Sequence, residues 1–171
     1  MKRVLIIGCS GSGKSTLGRR LGKLIDLPVV HMDTYFFNPG WVVKEDDEWT
    51  SIVGGLIAED SWVMDGNYSG TMASRIRRAD TVIFLDFPTW FCLYRVIKRF
   101  IQSYGKVRQD VAPGCPEKLD LEFLGYVWNY NRRSRPKMLN IMQEFKGDLV
   151  RLASVKEIDA FVAQLSEKEA I

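Results

Sequence analysis

Short apolar runs alternate along this chain with segments in which apolar residues recur every three or four positions. The runs predict β-strands at about residues 2–8, 28–32, 62–65, 80–86 and 148–152. The segments between them predict helices; after the first run, for example, Leu17, Leu21 and Leu24 mark one helix face. Strands that alternate with helices form parallel sheets, because each helix returns the chain to the edge where the next strand starts. The pattern therefore predicts an α/β fold around a five-stranded parallel sheet.

Length and composition indicate one ordinary globular domain. The 171 residues, 46% of them hydrophobic and 26% charged, suffice for a single core, so residues 1–171 are expected to form one domain. No apolar stretch reaches membrane-spanning length and the first strand follows the start directly, which predicts a cytoplasmic protein with no membrane partner. Three widely spaced cysteines and a single histidine, His31, argue against a disulfide framework or a zinc site.

The first predicted strand runs into a glycine-rich motif. Residues 8–15 read Gly-Cys-Ser-Gly-Ser-Gly-Lys-Ser and match the phosphate-binding pattern G-x-x-x-x-G-K-[ST]. A strand, this turn and a helix in that order aim backbone N–H groups and the positive helix end at one spot, where a polyphosphate fits. Lys14 can reach the β- and γ-phosphates, and Ser15 can ligate Mg²⁺. The predicted ligands of ATP or GTP in this loop are Gly8, Ser10, Gly11, Ser12, Gly13, Lys14, Ser15 and Thr16.

Three aspartates stand where predicted strands end, at the edge that holds ligands in open α/β sheets. Asp33 follows the second strand and is the candidate to orient or deprotonate an acceptor, because the second strand of such sheets lies near the first. Asp65 ends the third strand and is the candidate for the outer Mg²⁺ shell. Asp86 ends the fourth in an apolar context typical of a metal-site aspartate, and is the third candidate. The alternative for each is a turn-forming or helix-capping role.

The segment from Arg95 to Lys137 is basic. It contains ten Lys or Arg against four acids, a net charge of +6, while the rest of the chain carries −3. Phosphates are the natural partners of such a segment, and a solvated surface is the alternative. Its first helix is predicted to pack through Leu93, Tyr94, Ile97 and Ile101 and to leave Arg95, Lys98, Arg99 and Gln102 for anions. The Gly- and Pro-containing loop that follows is typical of a lid.

Other polar and aromatic positions keep two interpretations. His31 is predicted to be a hydrogen-bonded structural residue rather than a base. In the aromatic turn 35–41, Phe36 and Phe37 are expected in the core and Trp41 stays open between core and ligand stacking. Asn67 and Tyr68 offer hydrogen-bond donors, and Arg75, Arg77 and Arg78 are either anion ligands or surface charges. Ser154 begins a capping box with Glu157 and is also a candidate contact of the nucleotide base.

Several motifs together resemble one group of proteins. They are the phosphate loop, His31-x-Asp33, Asp65-Gly66-Asn67-Tyr68, Leu85-Asp86-Phe87-Pro88, and the stretch 114–120 followed by Trp128-Asn129. This set is similar to the bacterial topology modulation protein branch of adenylate-kinase-like P-loop proteins. The resemblance implies a three-layer α/β/α fold with strand order 2-3-1-4-5, a substrate-side flap at about residues 34–60 and a lid near 105–117. It also implies catalytic lid arginines, here Arg95, Arg99, Arg132 and Arg133.

Departures from better-defined relatives leave the acceptor open. Shikimate-kinase-like enzymes carry Asp-x-Asp where this chain has His31-x-Asp33, and adenylate-kinase-like enzymes carry Asp-Gly-x-Pro-Arg where residues 65–69 lack the Pro-Arg. The predicted function is therefore that of an ATP- and Mg²⁺-dependent phosphotransferase with an unidentified small-molecule or nucleotide acceptor. The alternative is a nucleotide-dependent regulatory protein that acts on DNA topology through the basic segment, although no common nucleic-acid-binding motif is present.

Overall fold

The computed structural model describes residues 1–169. The strands are β1 (Arg3–Gly8), β2 (Val29–His31), β3 (Phe37–Asn38), β4 (Val42–Val43), β5 (Trp62–Asp65), β6 (Thr81–Leu85) and β7 (Asp148–Leu152). The helices are α1 (Lys14–Leu24), α2 (Met32–Phe36), α3 (Asp46–Ala58), α4 (Ser69–Arg78), α5 (Thr89–Ser103), α6 (Leu121–Arg133), α7 (Arg135–Met142) and α8 (Val155–Glu169). All five predicted strands are present at their predicted positions. β1, β5 and β6 are runs of residues buried on both faces, whereas the edge strands β2 and β7 are partly exposed.

The main sheet is parallel and has the order β2-β5-β1-β6-β7. The prediction numbered five strands as 2-3-1-4-5, and the labels differ because it missed the antiparallel hairpin β3–β4, which lies outside this sheet. When the five sheet strands alone are counted, their succession is the predicted one. β1 is the central strand, with Ile6 in register with Asp65 on one side and with Ile83 on the other. The phosphate-binding turn after β1 therefore lies at the middle of the sheet edge.

Helices cover both faces of the sheet. Alternate side chains of β1 point to opposite faces, so Val4 and Ile6 pack in one buried cluster and Leu5 and Ile7 in another. The first cluster joins the sheet to α1, α5, α6 and α8, and the second joins it to α2, α3, α4 and α7. This is the three-layer α/β/α architecture that was expected. Within residues 1–169, the structure contains no helix with the length and hydropathy needed to cross a membrane.

One predicted helix face is wrong. On α5 the residues Tyr94, Ile97 and Ile101, expected to pack, are 56%, 39% and 70% exposed. The buried residues of α5 are Cys92 and Val96. The physical reason is the phosphate-binding turn, which lies so close to α5 that a Cβ on Gly11 would come 2.4 Å from the Cys92 carbonyl oxygen. Periodicity identified an apolar stripe correctly but could not say which stripe faces the core.

The loop 105–117 folds against the flap hairpin. Gly40 donates its backbone N–H to the Gly114 carbonyl at 2.8 Å, and the Trp41 indole N–H donates to the Pro116 carbonyl at 2.8 Å. A small buried cluster of Val111, Ala112 and Cys115 packs against the same aromatic turn. Trp41, whose role the sequence left open, thus contacts the 105–117 loop, and the two segments together close one side of a cleft.

Candidate active site

The turn after β1 can be built only from glycine at two positions. Gly8 has φ 148° and Gly11 has φ 84°, a region that side chains disfavour. A Cβ on Gly8 would lie 2.5 Å from the Leu85 carbonyl oxygen, and one on Gly11 would meet α5 as described above. The turn is therefore wedged between β6 and α5, which holds its backbone in one shape.

The turn ends at the N-terminus of α1, where the N-cap residue is Gly13 and no side chain caps the helix. The amides of the first turn of α1, residues 14–16, have no acceptor within the helix and share the positive end of its dipole. Lys14 Nζ spans the turn and donates to the carbonyl oxygens of Gly8, at 3.0 Å, and Cys9, at 3.1 Å. A concave backbone with unpaired amides and one ammonium group suits a polyphosphate by its chemistry.

Asp65 connects this turn to the second strand. Its carboxylate accepts from the Ser15 hydroxyl at 3.5 Å and lies 2.5 Å from Nδ1 of His31. His31 thus has the structural hydrogen bond that was predicted for it. Ser15 and Asp65 are hard oxygen donors of the kind that Mg²⁺ prefers. In residues 1–169 no group of three or more His, Cys, Asp or Glu side chains forms a preassembled metal cluster, so a cation here would also need phosphate oxygens.

Asp33 lies in the first turn of α2 and accepts a hydrogen bond from the Tyr68 hydroxyl at 2.5 Å. Burial raises the pKa of Asp33, and the Tyr68 hydrogen bond and the charge of Lys14 offset only part of that rise. Burial and the neighbouring Asp33 charge raise the pKa of Tyr68 as well. Tyr68 is therefore a neutral donor that fixes the orientation of the Asp33 carboxyl group.

Two residues of the turn after β5 act on the backbone. The Asn67 side chain accepts from the Gly8 N–H at 3.1 Å and donates to the Gly8 carbonyl at 2.9 Å, so it fixes the first residue of the phosphate-binding turn. Arg75, considered as an anion ligand, is fully buried and donates to the carbonyl oxygens of residues 66–68. Burial lowers its pKa to about 10. Arg75 therefore orders this turn and is not directed at the cleft.

The arginines of the basic segment divide into two groups. Arg95 lines the cleft, donates to the Ser12 carbonyl at 3.3 Å and stacks 5.6 Å from the centre of the Phe91 ring. Arg99 also lines the cleft and is paired with Glu117 at 2.9 Å. Arg132 and Arg133, predicted as catalytic, are exposed near the end of α6 and are not part of the cleft wall. Their predicted position beside the transferred group does not agree with this geometry.

Two further predicted ligands have structural partners. Both carboxylate oxygens of Asp86 accept from Arg135 at 2.8 Å, and one also accepts from Arg151 at 2.8 Å. These bonds, the Arg135 hydrogen bonds first, hold the pKa of Asp86 below its usual value, and Asp86 is not part of the cleft wall. Ser154 forms the predicted capping box, accepting from the Glu157 N–H at 3.2 Å, while its neighbour Val155 lines the cleft. The geometry argues against Asp86 as a metal ligand and leaves Ser154 with its cap.

Charged residues of the 105–117 loop were missed as site residues. Arg108 pairs with Glu117 and with Asp110, each at 2.8 Å, and all three line the cleft. Burial alone would raise the pKa of Asp110, but the charge of Arg108 and a hydrogen bond with Ser15 hold it below the usual value. The sequence carried no signal for this cluster, because its members meet only when the loop folds back on α5. The whole cleft measures about 1450 Å³, large enough for a nucleotide and a second small molecule.

Comparisons with known proteins identify the fold. No protein-family model matches this chain, and no curated protein does so either. The structure is similar to that of shikimate kinase from Bacteroides thetaiotaomicron, with 14% identity, a TM-score of 0.59 and 99% of both chains covered. It is also similar to shikimate kinase from Acinetobacter baumannii in complex with shikimate, with 12% identity, a TM-score of 0.62 and coverage of 99% of this chain and 93% of that one.

Such low identity establishes the fold alone. The chain has the P-loop α/β fold seen in shikimate kinases. The finer resemblance to the topology modulation branch is not confirmed by these comparisons.

Proposed function

We propose that this protein is an ATP-dependent phosphotransferase that moves the γ-phosphoryl group to an oxygen of a small-molecule acceptor. The observation that supports this most is the presence of Asp33, oriented by Tyr68, in the same cleft as Lys14 and the phosphate-binding turn. A bond forms between the acceptor oxygen and the γ-phosphorus while the bond to the β,γ-bridging oxygen breaks. ADP keeps that electron pair, and the acceptor proton passes to Asp33.

The donor end is assigned to the phosphate-binding turn and α1. Amides of residues 13–16 bind phosphate oxygens, and Lys14 moves from its carbonyl partners to the β- and γ-phosphates. Ser15 and Asp65 would hold Mg²⁺, and the ion would neutralise negative charge on the phosphates when bound. Arg95 stabilises charge on the transferring group, because its guanidinium already contacts the turn.

Asp33 is assigned as the base at the acceptor end. Its elevated pKa makes the carboxylate a stronger base than an exposed aspartate, which favours proton transfer from a hydroxyl group. The 105–117 loop acts as the lid that excludes water, which would otherwise compete as acceptor. The hydrogen bonds of this loop with Trp41 and Gly40 support this assignment, because they hold the loop against the flap.

The DNA-binding alternative has no observation in its favour. Seven of the ten basic residues between Arg95 and Lys137 line the interior of the cleft, and an eighth, Arg135, is paired with Asp86. Arg132 and Arg133 are left on the surface, too few to neutralise a run of backbone phosphates. A basic interior suits the phosphates of a small nucleotide better than a duplex.

Thermal unfolding tests the donor assignment. Mg²⁺–ATP at a hundredfold excess over its dissociation constant should stabilise the fold by about 2.7 kcal/mol. Lys14→Ala should remove most of this gain, whereas Lys23→Ala, an exposed lysine at the other end of α1, should keep it. A wild-type melting temperature that millimolar Mg²⁺–ATP leaves unchanged would refute the assignment.

A further inference from the structure

Charge is divided unevenly along the cleft. All ten Lys and Arg side chains of its wall come from residues 14–20 and 95–137. The part of the wall around Asp33 is built from the flap and the turn after β5, and none of its described residues is basic. These residues are Asp33, Phe37, Trp41, Asp65, Gly66, Asn67, Tyr68 and Ser69. The end of the cleft assigned to the acceptor therefore differs in character from the phosphate end.

Basic residues close to this wall are already engaged. Arg75 is bound to the carbonyl oxygens of residues 66–68, and Lys44 is bound to Asn38 at 2.9 Å and Glu48 at 2.7 Å. Arg108 approaches from the 105–117 loop, but two carboxylates neutralise it there. Lys14 serves the donor phosphates. Lys14 and Arg108 are the cations whose charge acts on Asp33 in residues 1–169, and both are thus engaged elsewhere.

The groups that do face this space favour a different ligand. The Asp33 carboxyl group, which accepts from Tyr68 and has no salt-bridge partner among residues 1–169, lines it together with aromatic rings of the flap. Phe37 and Trp41 pack edge to face with centroids 5.1 Å apart, and the Trp41 N–H is taken by Pro116. An anion would be desolvated here without a partner, which is costly. A protonated amine gains both from the Asp33 carboxylate and from the electron-rich ring faces.

We infer that the acceptor is a hydroxyl compound that carries a protonated amine or no charge, and no carboxylate or phosphate. This inference rests on the proposed function, since it identifies the substrate class of the same site. It separates this chain from a protein that binds shikimate, because shikimate is a carboxylate. Nucleoside monophosphates are excluded on the same ground.

Charge-matched probes test the inference. Tyramine is compared with 4-hydroxyphenylacetate, and methyl shikimate with shikimate, by saturation-transfer NMR in the presence of Mg²⁺ and a non-hydrolysable ATP analogue. The amine and the ester should bind at least about fivefold more tightly than the matching acids, because the acids lose hydration without a cationic partner and the amine also gains a charge contact. Acids that bind as tightly as their partners, or a set in which neither class binds, would overturn the inference.

A variant that adds charge provides the control. Ser69 is exposed at the start of α4 and lines this wall, so a longer side chain fits there. Ser69→Lys should strengthen binding of the two acids by about two- to fivefold, and Ser69→Gln should not. Failure of this inference would leave transfer of the ATP γ-phosphoryl group to some other hydroxyl compound intact, whereas failure of the proposed function would leave no such transfer, even where Mg²⁺–ATP still stabilises the fold.

Discussion

Removal of the Asn67 side chain should weaken the phosphate-binding turn before it affects anything else. Asn67 joins the turn after β5 to the last residue of β1 through two hydrogen bonds with Gly8. In Asn67→Ala the Gly8 carbonyl keeps Lys14 Nζ at 3.0 Å, but the Gly8 N–H loses the acceptor that the structure gives it. The variant therefore strands one backbone donor at a partly buried position.

A stranded donor of this kind costs about 1–3 kcal/mol of the free energy of unfolding. We expect about 2 kcal/mol, because the site is partly rather than fully buried and the carbonyl group stays satisfied. For a chain of this size that corresponds to a melting temperature lower by about 4–8 °C. Affinity for Mg²⁺–ATP should also fall, because binding must then order the loosened turn.

Urea denaturation measures the loss, with Asn129→Ala as the matched control. Asn129 donates to the Gly125 carbonyl one turn back on α6 at 2.8 Å. The control substitution therefore deletes the same type of side chain and a hydrogen bond of the same kind. Its loss should stay within about 0.5 kcal/mol, because that carbonyl already has a helical partner. Equal losses in the two variants would show that Asn67 does not hold the turn.

Five further variants test other parts of the protein. Asp33→Asn should lower phosphoryl transfer by roughly 10²- to 10⁴-fold with ATP affinity nearly intact. The pKa of Asp33 is raised above 3.8, so ionisation of this carboxyl group destabilises the folded protein as pH rises through that elevated pKa. Asp33→Asn should therefore melt at a higher temperature than the wild type at pH 8 but not at pH 3. Arg95→Ala should depress turnover far more than ATP binding, while Arg132→Ala and Arg133→Ala, outside the cleft, should change neither in steady-state kinetics. Asp86→Asn should destabilise the fold at pH 7. Because the pKa of Asp86 is depressed, its carboxylate contributes stability at pH values above 3.8, and that stability is lost as pH falls through the depressed pKa. The melting curves of the variant and the wild type should therefore converge in acid.

Local signals were enough for the parallel sheet and the phosphate-binding turn. Strands buried on both faces appear as continuous apolar runs, and the turn appears as fixed glycines with Lys14 and Ser15, so neither depends on distant contacts. The capping box at Ser154 was predictable for the same reason, since its partners lie within four residues.

Contacts between distant segments could not be predicted from the sequence. Glu117 receives two arginines only because the 105–117 loop returns to α5, and Arg75 is buried only because three carbonyl groups turn towards it. The exposed stripe on α5 was misjudged because two stripes of that helix are apolar and only the turn at Gly11 decides between them. The two arginines that form salt bridges with Asp86, Arg135 of α7 and Arg151 of β7, likewise lie more than forty residues away in the sequence.

The most direct test of the central claim is acceptor-stimulated ADP release, measured for a panel of alcohols, amino alcohols, hydroxy acids and nucleotides and followed by ³¹P NMR of the product. The account predicts that at least one compound stimulates ADP release and leaves with the phosphoryl group attached. It also predicts that Lys14→Ala abolishes this transfer and that Asp33→Asn slows it while ATP still binds. Tight Mg²⁺–ATP binding with no transfer to any compound, and only hydrolysis to free phosphate that Asp33→Asn leaves unchanged, would contradict it.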